Sequence, residues 1–346
     1  MDKIIERVKN LKKASYLNKS YTGKYAFIGI GGHSINNLYP VLNYLRVPLK
    51  YIVTKSEKNA SSISKNFNGI IGTNDLDKVL NDEEVKGIFI CTSPKSHFSL
   101  AKKSLLHNKH VFVEKPPCTT TQELNELVSV QEKINKTCLV GLQKRYAPAV
   151  SILKKQLAKS VISYNYRFVT GSYPEGDSLF DLFIHPLDLA YYLFGDYTVA
   201  SVQHCKDGKD LSVFLHLNHS GIIGNIELST CYSWKEAQEL LAVNSKQGIY
   251  ELCNMEKLNY SPKQGKLFSI PQEKVINLPA NHKVLFNRNN FNPVMQNNQL
   301  YTAGYYDEIV NFVTLCENKE GNNLTPLKEL NRTFLLINEI KNKLNV

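Results

Sequence analysis

The chain has 346 residues, a formal net charge of +11, 42% hydrophobic residues and 21% charged residues. This length is enough for two domains with cores of their own, and the composition is that of an ordinary globular protein. No apolar run approaches the ~20 residues that a membrane span requires. The lysines are spread along the chain without a basic run interleaved with aromatic residues, which argues against a nucleic-acid partner. The positive charge instead favours anionic ligands, such as dinucleotide phosphates or a nucleotide sugar.

The first 13 residues carry apolar side chains at helical spacing, interleaved with charged ones. A signal peptide requires an uninterrupted apolar core, so we interpret this stretch as a short basic helix or linker within a leading segment, residues 1–23. The seven cysteines form no C-x-x-C pair. They are predicted to be buried free thiols of a protein in a reducing, cytoplasmic compartment, and their spacing supports no zinc site.

Between residues 24 and 142, short apolar runs alternate with helical patterns. Strands are predicted at residues 25–30, 49–54, 87–91, 110–113 and 138–141, and helices at residues 34–45, 59–66, 75–80, 97–108 and 121–134. Thr121 is interpreted as the N-cap of the last of these helices. The alternation predicts a doubly wound parallel sheet of the α/β Rossmann class, assigned to a first domain of residues 24–145.

From residue 146 onward, the pattern changes to a series of strands with few helices between them. Strands are predicted at residues 162–168, 199–205, 211–217, 221–228, 240–244 and 248–253, and helices at residues 148–157, 182–194, 305–315 and 327–344. The series predicts an α+β second domain, residues 146–346, built on one large antiparallel sheet. The two C-terminal helices are expected to pack back on the first domain, and the asparagine-rich residues 287–298 are expected to form a loop.

The first predicted strand runs into Gly29-x-Gly31-x-x-Ser34. Glycine permits a tight turn from strand into helix and the close approach of a pyrophosphate, and the helix N-terminus then faces the negative charge. Ser34 takes the place of the third glycine of this pattern. A simple turn is the alternative, but the position after the first strand favours a dinucleotide site. The expected contacts from this turn are Gly29, Gly31, Gly32, His33 and Ser34.

The choice between the two nicotinamide dinucleotides is expected about 20 residues further on, at the end of the second predicted strand. An NAD enzyme would carry an acid there to accept hydrogen bonds from the ribose, whereas this chain has Thr54-Lys55-Ser56. A lysine with two flanking hydroxyls can bind a 2′-phosphate, which an acid would repel. The sequence therefore predicts NADP(H) in preference to NAD(H).

Residues 110–118, His-Val-Phe-Val-Glu-Lys-Pro-Pro-Cys, combine an apolar strand with an acid, a base and two prolines. The β-branched and aromatic residues predict a buried parallel strand, which places Glu114, Lys115 and Pro116 at its carboxyl end. Ligands of open α/β sheets bind outside these ends, so Lys115 is placed to reach a substrate. The alternative is a charged loop that only closes the strand.

Four motifs occur in order: the glycine turn, Glu114-Lys-Pro116, Gly141-Leu-Gln-Lys-Arg-Tyr146 and Asp181-Leu-Phe-Ile-His-Pro-Leu-Asp188. Their order and spacing resemble the glucose-fructose oxidoreductase, inositol dehydrogenase and MocA family (Gfo/Idh/MocA), over most of the chain. The resemblance implies an NAD(P)-dependent oxidoreductase. Its reaction would be hydride transfer between the nicotinamide and a keto or hydroxyl group of a sugar derivative.

Hydride transfer to a ketone leaves an alkoxide that needs a proton, and the reverse reaction needs a base. Asp181 and His185 are four residues apart, so they share a face of one helix, and Pro186 indicates that this helix begins near the histidine. The resemblance places both beside Lys115. It implies His185 as proton donor or acceptor, Lys115 as polarising cation, and Asp181 as orienting residue or second acid. The alternative is a capping and packing pair, and Asp188 is expected to be structural.

The further dinucleotide contacts that the resemblance implies are Thr92, Pro94, His97, Glu114, Lys115 and Arg145. For His97, a histidine without a role at a helix N-terminus is the alternative. Two interpretations of Arg145 stay open, since it either pairs with Glu114 or binds substrate. The resemblance also implies a cis peptide before Pro116.

The approach to the motif that begins at Asp181, residues 170–179, departs from the glycine-rich segment of many relatives. Tyr173, Glu175 and Asp177 either contact sugar hydroxyls or form an exposed turn. With residues 93–98 and 116–118, this loop resembles the reductase module that occurs alone or fused behind a zinc-type alcohol dehydrogenase in bacterial glycan-biosynthesis gene sets. That closer resemblance implies a sugar or nucleotide-sugar substrate, and a loop over the active site in the region that ends near residue 323.

Two other functions compete with a sugar oxidoreductase. One is a non-enzymatic dinucleotide-binding regulator, because a fold does not fix a function, although the joint presence of Lys115, Asp181 and His185 argues against it. The other is a glycoside-cleaving enzyme that uses the nicotinamide transiently, which turnover without a net change in cofactor absorbance would reveal. The expected partners are a small-molecule substrate and further copies of the chain, as a homodimer or homotetramer through the free sheet face, with no nucleic acid and no membrane.

Overall fold

The computed structural model describes residues 2–17, 20–157 and 160–344. The leading segment is helical over α1 (Asp2–Leu17). The apolar residues Ile4, Val8 and Leu11 of this helix are exposed, so these side chains face solvent rather than the core. Met1, which belongs to the same predicted segment, lies outside the described residues.

A six-stranded parallel sheet has the strand order β3-β2-β1-β4-β5-β6. Its strands are β1 (Lys24–Ile28), β2 (Leu49–Val53), β3 (Ile71–Thr73), β4 (Val85–Ile90), β5 (His110–Glu114) and β6 (Cys138–Gly141). The order steps outward on both sides of the β1–β4 pair, which confirms the predicted doubly wound sheet and places the switch point between these two strands. Strand β3 was not predicted because Ile-Gly-Thr is too short to show an alternation.

Helices cover both faces of this sheet. They are α2 (Tyr39–Leu45), preceded by a π-helical turn at Ser34–Leu38, α3 (Glu57–Asn66), α4 (Leu76–Leu80), α5 (Pro94–Leu106) and α6 (Thr121–Ile134). Helix α6 has the predicted bounds, but its N-cap is Thr120, whose hydroxyl accepts from the Glu123 N–H at 3.2 Å. The interpretation of Thr121 as the N-cap is therefore wrong by one residue, because a capping side chain reaches the amide two or three residues on.

The second sheet has eight strands in the order β16-β13-β12-β11-β7-β10-β9-β8. They are β7 (Val161–Val169), β8 (Thr198–Asp207), β9 (Asp210–His219), β10 (Ile222–Ser229), β11 (Gln238–Ser245), β12 (Gly248–Cys253), β13 (Lys257–Pro262) and β16 (Lys283–Asn287), while β14 (Lys266–Leu267) and β15 (Ile270–Pro271) form a separate hairpin. Strands β7 and β10 run parallel, so the sheet is mixed rather than antiparallel throughout. Strand β13 has a largely polar sequence, which hid it from prediction. Strand β16 was also missed, although its centre, Val-Leu-Phe, is apolar.

The remaining helices are α7 (Pro148–Gln156), α8 (Ile184–Phe194), α9 (Gln299–Thr302), α10 (Tyr305–Cys316) and α11 (Leu330–Leu344). Helix α10 packs on the parallel sheet, where the Phe312 ring lies 5.0 Å from that of Phe89 and 5.8 Å from that of Phe112. Helix α11 contacts α6 and α8. Helix α10 therefore contacts the first sheet, and α11 contacts one of the helices that cover it.

All seven cysteines are unpaired, as predicted, but Cys205, Cys231 and Cys253 are exposed. Cys253 lies on a strand whose alternate residues face outward, and Cys205 lies in the second half of β8, where every residue is exposed, so their predicted burial is wrong. Within the described ranges, no helix is both long and apolar enough to cross a membrane. The same ranges contain no cluster of three or more His, Cys, Asp or Glu residues suited to a metal ion.

Candidate active site

Close packing at Gly29 and hydrogen bonds from Ser34 fix the conformation of the glycine turn. Gly29 has a φ of +103°, and a Cβ at this position would collide with the carbonyl oxygen of Cys91. Glycine therefore lets β1 pair closely with β4 while the chain turns. At Gly31 and Gly32, a Cβ would meet open space, because both border a cleft. The Ser34 hydroxyl closes the turn, since it accepts from the Gly31 N–H and donates to the Gly31 carbonyl oxygen, both at 2.8 Å.

A cleft of about 740 Å³ opens beside this turn. The expected dinucleotide residues that line it are Gly29, Gly31, Gly32, His33, Ser34, Thr54, Lys55, Ser56 and Thr92. Sequence reasoning missed Asn59, Asn74, Ser96 and Ser99. Ser96 and Ser99 follow Pro94 on one helix face and were predictable from that spacing, whereas Asn74 follows the unpredicted β3. The backbone of the turn, with the helix N-terminus behind it, can hold a pyrophosphate.

The far end of the cleft carries Thr54-Lys55-Ser56. The Thr54 hydroxyl donates to the Ser56 carbonyl oxygen at 2.9 Å, and the Ser56 hydroxyl accepts from the Asn59 N–H at 3.3 Å as the N-cap of α3. These bonds fix the loop and leave Lys55 exposed. Among the described residues that line the cleft, none is Asp or Glu, so a phosphate at this end would meet a lysine and no carboxylate.

Glu114 and Lys115 stand at the end of β5, as predicted. The Glu114 carboxyl is buried and its Oε1 lies 3.1 Å from Nε2 of His33. Burial opposes the charge of Glu114, but His33 and Lys115 outweigh it and lower the pKa of this carboxyl. On β6, a Cβ at Gly141 would lie 2.9 Å from the Glu114 carboxyl carbon, so glycine makes room for the buried acid. The peptide between Lys115 and Pro116 is cis, as the resemblance implied.

The side chain of Lys115 contacts the backbone of the motif at residues 181–188. The Nζ of Lys115 donates to the carbonyl oxygen of Asp181, which lies in a π-helical turn at Ser178–Phe183. Burial lowers the pKa of Lys115, and the neighbouring carboxylates partly offset this. The Asp181 carboxyl accepts from the Asp177 N–H at 3.1 Å, and burial raises its pKa. Lys115 and Asp181 are thus brought together, but not as an ion pair.

His185 is the second residue of α8, and Pro186 follows it in the first turn. Its Nδ1 is buried and has no hydrogen-bond partner in the part of the chain that the structure describes. The expectation that Asp181 orients this ring therefore finds no hydrogen bond. Burial, followed by the charges of Lys115 and Lys144, holds the pKa of His185 well below its usual value. The site thus contains a neutral imidazole close to two ammonium groups.

Sequence reasoning missed Lys144. Its Nζ pairs with Oε1 of Glu239 at 2.6 Å and lies 4.5 Å from the centre of the Phe168 ring. The same carboxylate oxygen accepts from the hydroxyl of Tyr166 at 2.5 Å. In the sequence, Lys144 stands beside Arg145 with nothing to separate their roles, and the short helical turn that holds them sends the two side chains to different surroundings.

The expected role of Arg145 is wrong. Its guanidinium is fully buried and donates to both carboxylate oxygens of Asp188, at 2.8 and 2.7 Å, while a second arm pairs with Glu329 at 2.5 Å. Arg145 therefore pairs with neither Glu114 nor the dinucleotide cleft. It ties α8 to the C-terminal segment, and Asp188 has the structural role that was expected of it.

His97 does not line the cleft but hydrogen-bonds to the backbone of two segments beside it. The ring is buried, with Nδ1 2.8 Å from the Pro116 carbonyl oxygen and Nε2 3.0 Å from that of Thr92. It thereby joins the first turn of α5 to the central motif. The expected dinucleotide residues that do not line the cleft are Pro94, His97, Glu114, Lys115 and Arg145.

The loop before Asp181 packs against its carboxyl group. A Cβ at Gly176 would collide with that carboxylate, and Tyr173 is half-buried close enough that, after burial, the charge of Asp181 raises its pKa. Asp177 caps the following turn and pairs with a lysine of α11, while Glu175 is exposed. Of the three loop candidates, Tyr173 is thus the one placed at the site.

Residues 23–142 match the model of an oxidoreductase family with an NAD-binding Rossmann fold (GFO_IDH_MocA). Over this domain, about a third of the chain, the protein is similar to the Gfo/Idh/MocA family. The chain spans about half the length, or less, of the curated relatives that it matches. One of these relatives, an inositol 2-dehydrogenase of Salmonella typhimurium, is 24% identical over 139 residues, 37% of this chain and 41% of that one.

Solved structures extend the likeness to the second sheet. A dehydrogenase of Chromobacterium violaceum is similar with a TM-score of 0.79 and 19% identity, over 94% of this chain and 96% of that one. A variant of KijD10, a 3-ketoreductase of Actinomadura kijaniata solved with TDP-benzene and NADP, has a TM-score of 0.71 and 14% identity, over 92% of this chain and 97% of that one. The two-part fold expected of the family is therefore confirmed.

Proposed function

We propose that this protein is an NADP(H)-preferring oxidoreductase that transfers a hydride between the nicotinamide and a keto or hydroxyl group of a sugar or nucleotide sugar. The observation that carries the proposal is the meeting of Lys115, Asp181 and His185 beside the glycine-turn cleft. His33 connects the cleft to these three residues, because it lines the cleft and pairs with Glu114, which precedes Lys115. A binding protein without chemistry would need the cleft but no neutral histidine held between cations.

His185 is the proposed proton acceptor for oxidation. Because its pKa is held well below the usual value, the imidazole is neutral at physiological pH and can take the proton of a substrate hydroxyl. In the opposite direction, the protonated ring returns this proton to the alkoxide. Since Nδ1 has no partner among the described residues, either ring tautomer is accessible without the loss of a hydrogen bond.

Lys115 is the proposed electrostatic partner of the reacting oxygen. One N–H of its ammonium is engaged by the Asp181 carbonyl oxygen, which fixes the side chain and leaves two N–H groups for a substrate oxygen. A fixed cation in a site shielded from water stabilises a developing oxyanion. When bound, the nicotinamide dinucleotide supplies or takes up the hydride.

The cleft supports a dinucleotide and, at its far end, a phosphate. The glycines of the turn leave space that a Cβ would fill, which suits close contact with a pyrophosphate. At the other end, Lys55 is exposed and no described lining residue is acidic, which supports NADP(H) over NAD(H).

Two features support the proposed class of substrate: the positive charge of the site and of the chain, and the similarity to known sugar oxidoreductases. Lys115 and Lys144 add positive charge to the site, and the chain as a whole carries +11, both of which favour a ligand with phosphates. The similar chains include an inositol 2-dehydrogenase and a 3-ketoreductase solved with a TDP compound and NADP. These features support a sugar or nucleotide sugar that reacts at a CH–OH or keto carbon.

The test is a set of keto sugars and nucleotide sugars assayed with NADPH, and the corresponding alcohols assayed with NADP. The variants His185→Asn and Lys115→Met should each lose at least about 100-fold in kcat, the range for general acid–base and oxyanion groups. The matched controls are His204→Asn and Lys206→Met, both exposed on β8, and these should retain activity. Turnover that is equal in all four variants would refute the assignment.

Self-association through the free face of the mixed sheet is a further part of the proposal. This face carries half-exposed Phe214, Ile223 and Ile249 among polar residues, a mixture that suits an interface between copies better than bulk water. Phe214→Asp should convert an oligomer to monomers in sedimentation velocity. An unchanged sedimentation coefficient would remove this face from the assembly.

A further inference from the structure

Two loops leave the same end of the mixed sheet side by side. Residues 170–177 follow β7 and lead into the turn that holds Asp181, and residues 230–237 join β10 to β11. The two loops are tied together, because the Tyr232 N–H donates to the Thr170 carbonyl oxygen at 2.9 Å. The proposed proton and hydride transfers use no residue of the second loop.

Both loops are anchored at the candidate active site. In the first loop, a Cβ at Gly176 would collide with Oδ2 of Asp181 and lie 3.5 Å from the Tyr173 ring. The second loop ends at β11, whose second residue, Glu239, pairs with Lys144 at 2.6 Å. The loops therefore border the reaction site rather than a remote part of the sheet.

The second loop carries Trp234, the one tryptophan of the chain. Its indole N–H donates to the Ser172 carbonyl oxygen in the first loop at 2.8 Å. A Cβ at Gly171 would lie 2.5 Å from Cδ1 of the indole, so glycine is what lets the ring pack this closely on the first loop. The hydrogen bond and the close contact together fix the orientation of the ring.

The fixed ring is not buried. Trp234 is 54% exposed, and Tyr232, two residues earlier, is 53% exposed. A tryptophan that served only to hold the loops together would bury its ring, because the stabilisation from packing scales with the apolar area removed from water. A rigid, exposed ring instead suits ligand binding, since stacking on it costs little further side-chain entropy.

The exposed surface of Trp234 favours a planar aromatic ring over a sugar ring. The single donor of the indole is engaged by Ser172, so the side chain offers a π face and no hydrogen bond to a hydroxyl. Stacking of a nucleobase requires only such a face. In a nucleotide sugar, the base and the reacting sugar lie on opposite sides of the phosphates. This arrangement matches Trp234, which borders the reaction site but is not one of its reacting groups.

We propose that Trp234 stacks on the base of a nucleotide-sugar substrate whose sugar reacts at Lys115 and His185. This inference rests on the proposed oxidoreductase function and narrows the substrate class from sugars in general to nucleotide sugars. It makes Trp234 a residue that determines specificity and takes no part in proton transfer.

The first test uses the fluorescence of this single tryptophan in the full chain saturated with NADP. The probes are the diphosphates of uridine, thymidine, guanosine, cytidine and adenosine, together with glucose 1-phosphate, which has a phosphate but no base. Saturable quenching is expected for at least one nucleotide and not for glucose 1-phosphate. It should persist in His185→Asn, because binding of the base does not require the reacting histidine. The proposal is overturned if no nucleotide quenches, or if glucose 1-phosphate quenches equally.

The second test is isothermal titration calorimetry with the nucleoside diphosphate that quenches most strongly. Trp234→Leu should bind it about 10-fold more weakly, whereas Trp234→Phe keeps an aromatic face and should restore most of the affinity. The matched control is Phe268→Leu, an aromatic residue that is 91% exposed on the β14–β15 hairpin, and it should bind as the wild type does. The affinity for NADPH should be equal in all of these proteins, which shows that each is folded.

Unchanged nucleotide affinity in Trp234→Leu overturns the proposal. If that protein also reduces a keto sugar with NADPH, the proposed oxidoreductase function stands without the base site. Quenching and the loss of affinity in Trp234→Leu, without turnover of any nucleotide sugar, would support the base site and count against the proposed function.

Discussion

Arg145→Met should destabilise the fold without weakening dinucleotide binding. The side chain of Arg145 is 0% exposed and that of Asp188 is 2% exposed, and two hydrogen bonds of 2.8 and 2.7 Å join them. The Glu329 carboxylate, 46% exposed, can be rehydrated when the arginine is lost. The buried carboxylate of Asp188 cannot be rehydrated. Among the described residues, the one other side chain that donates a hydrogen bond to it is Thr333, whose hydroxyl lies at 3.3 Å. Removal of one partner of a buried pair costs about 3–5 kcal/mol.

The assay is urea unfolding followed by circular dichroism, with NADPH affinity measured on the folded variant. The control is Arg332→Met, which breaks an exposed pair with Asp196 and should cost less than about 1 kcal/mol. The double variant Arg145→Met/Asp188→Leu should recover most of the lost stability, because no buried charge remains. A loss below about 1 kcal/mol in Arg145→Met, together with weaker NADPH binding, would refute the reasoning and return Arg145 to the ligand site.

Three further predictions follow from the buried charges and the glycine turn. Burial holds the pKa of Glu308 well above its usual value, so unfolding releases a proton and the free energy of unfolding of the wild type falls as pH rises from about 5 to 8. The variant Glu308→Gln should lack this pH dependence and be more stable than the wild type near pH 8. Parallel curves of stability against pH for the two proteins would contradict the prediction. For oxidation, kcat/KM should show no loss as pH falls through about 6.5, the usual pKa of histidine, because that of His185 lies well below it; a decline centred there would show an unperturbed histidine. Gly29→Ala should weaken dinucleotide binding and lower the melting temperature, because its Cβ would meet the Cys91 carbonyl oxygen; Gly69→Ala, also at positive φ but in open space, is the control and should leave dinucleotide binding unchanged.

Five of the six strands of the first sheet were predictable because each has a local sequence signal, which the three-residue β3 lacks. Buried parallel strands are short apolar runs, and glycine, proline and capping residues separate them from amphipathic helices, as at β5 and α6. The eight-stranded sheet was harder, because the pairing of β7 with β10 joins residues about 60 positions apart and no local pattern encodes the direction of such a pair. The same holds for β13, whose stability comes from its neighbours rather than from its polar sequence.

In the candidate site, too, some residues could be predicted from local sequence and others could not. Lys115 and His185 follow from motif positions at a strand end and a helix start, where geometry constrains the side chain. Arg145 and Lys144 are adjacent in sequence, and their separate surroundings depend on which carboxylate, Asp188 or Glu239, the fold brings to each. A single sequence contains no signal that distinguishes these two partners, so the basic residue near the site was assigned incorrectly.

The most direct test of the central claim is a fluorescence titration of the nucleotide-free protein with NADPH and with NADH. It is repeated with Lys55→Asp and with the control Lys58→Asp, an exposed residue outside the cleft lining. The account predicts tighter binding of NADPH than of NADH in the wild type and in Lys58→Asp, and loss of that preference in Lys55→Asp. Failure to bind either dinucleotide would contradict the proposed oxidoreductase, and tighter binding of NADH would contradict the role given to Lys55.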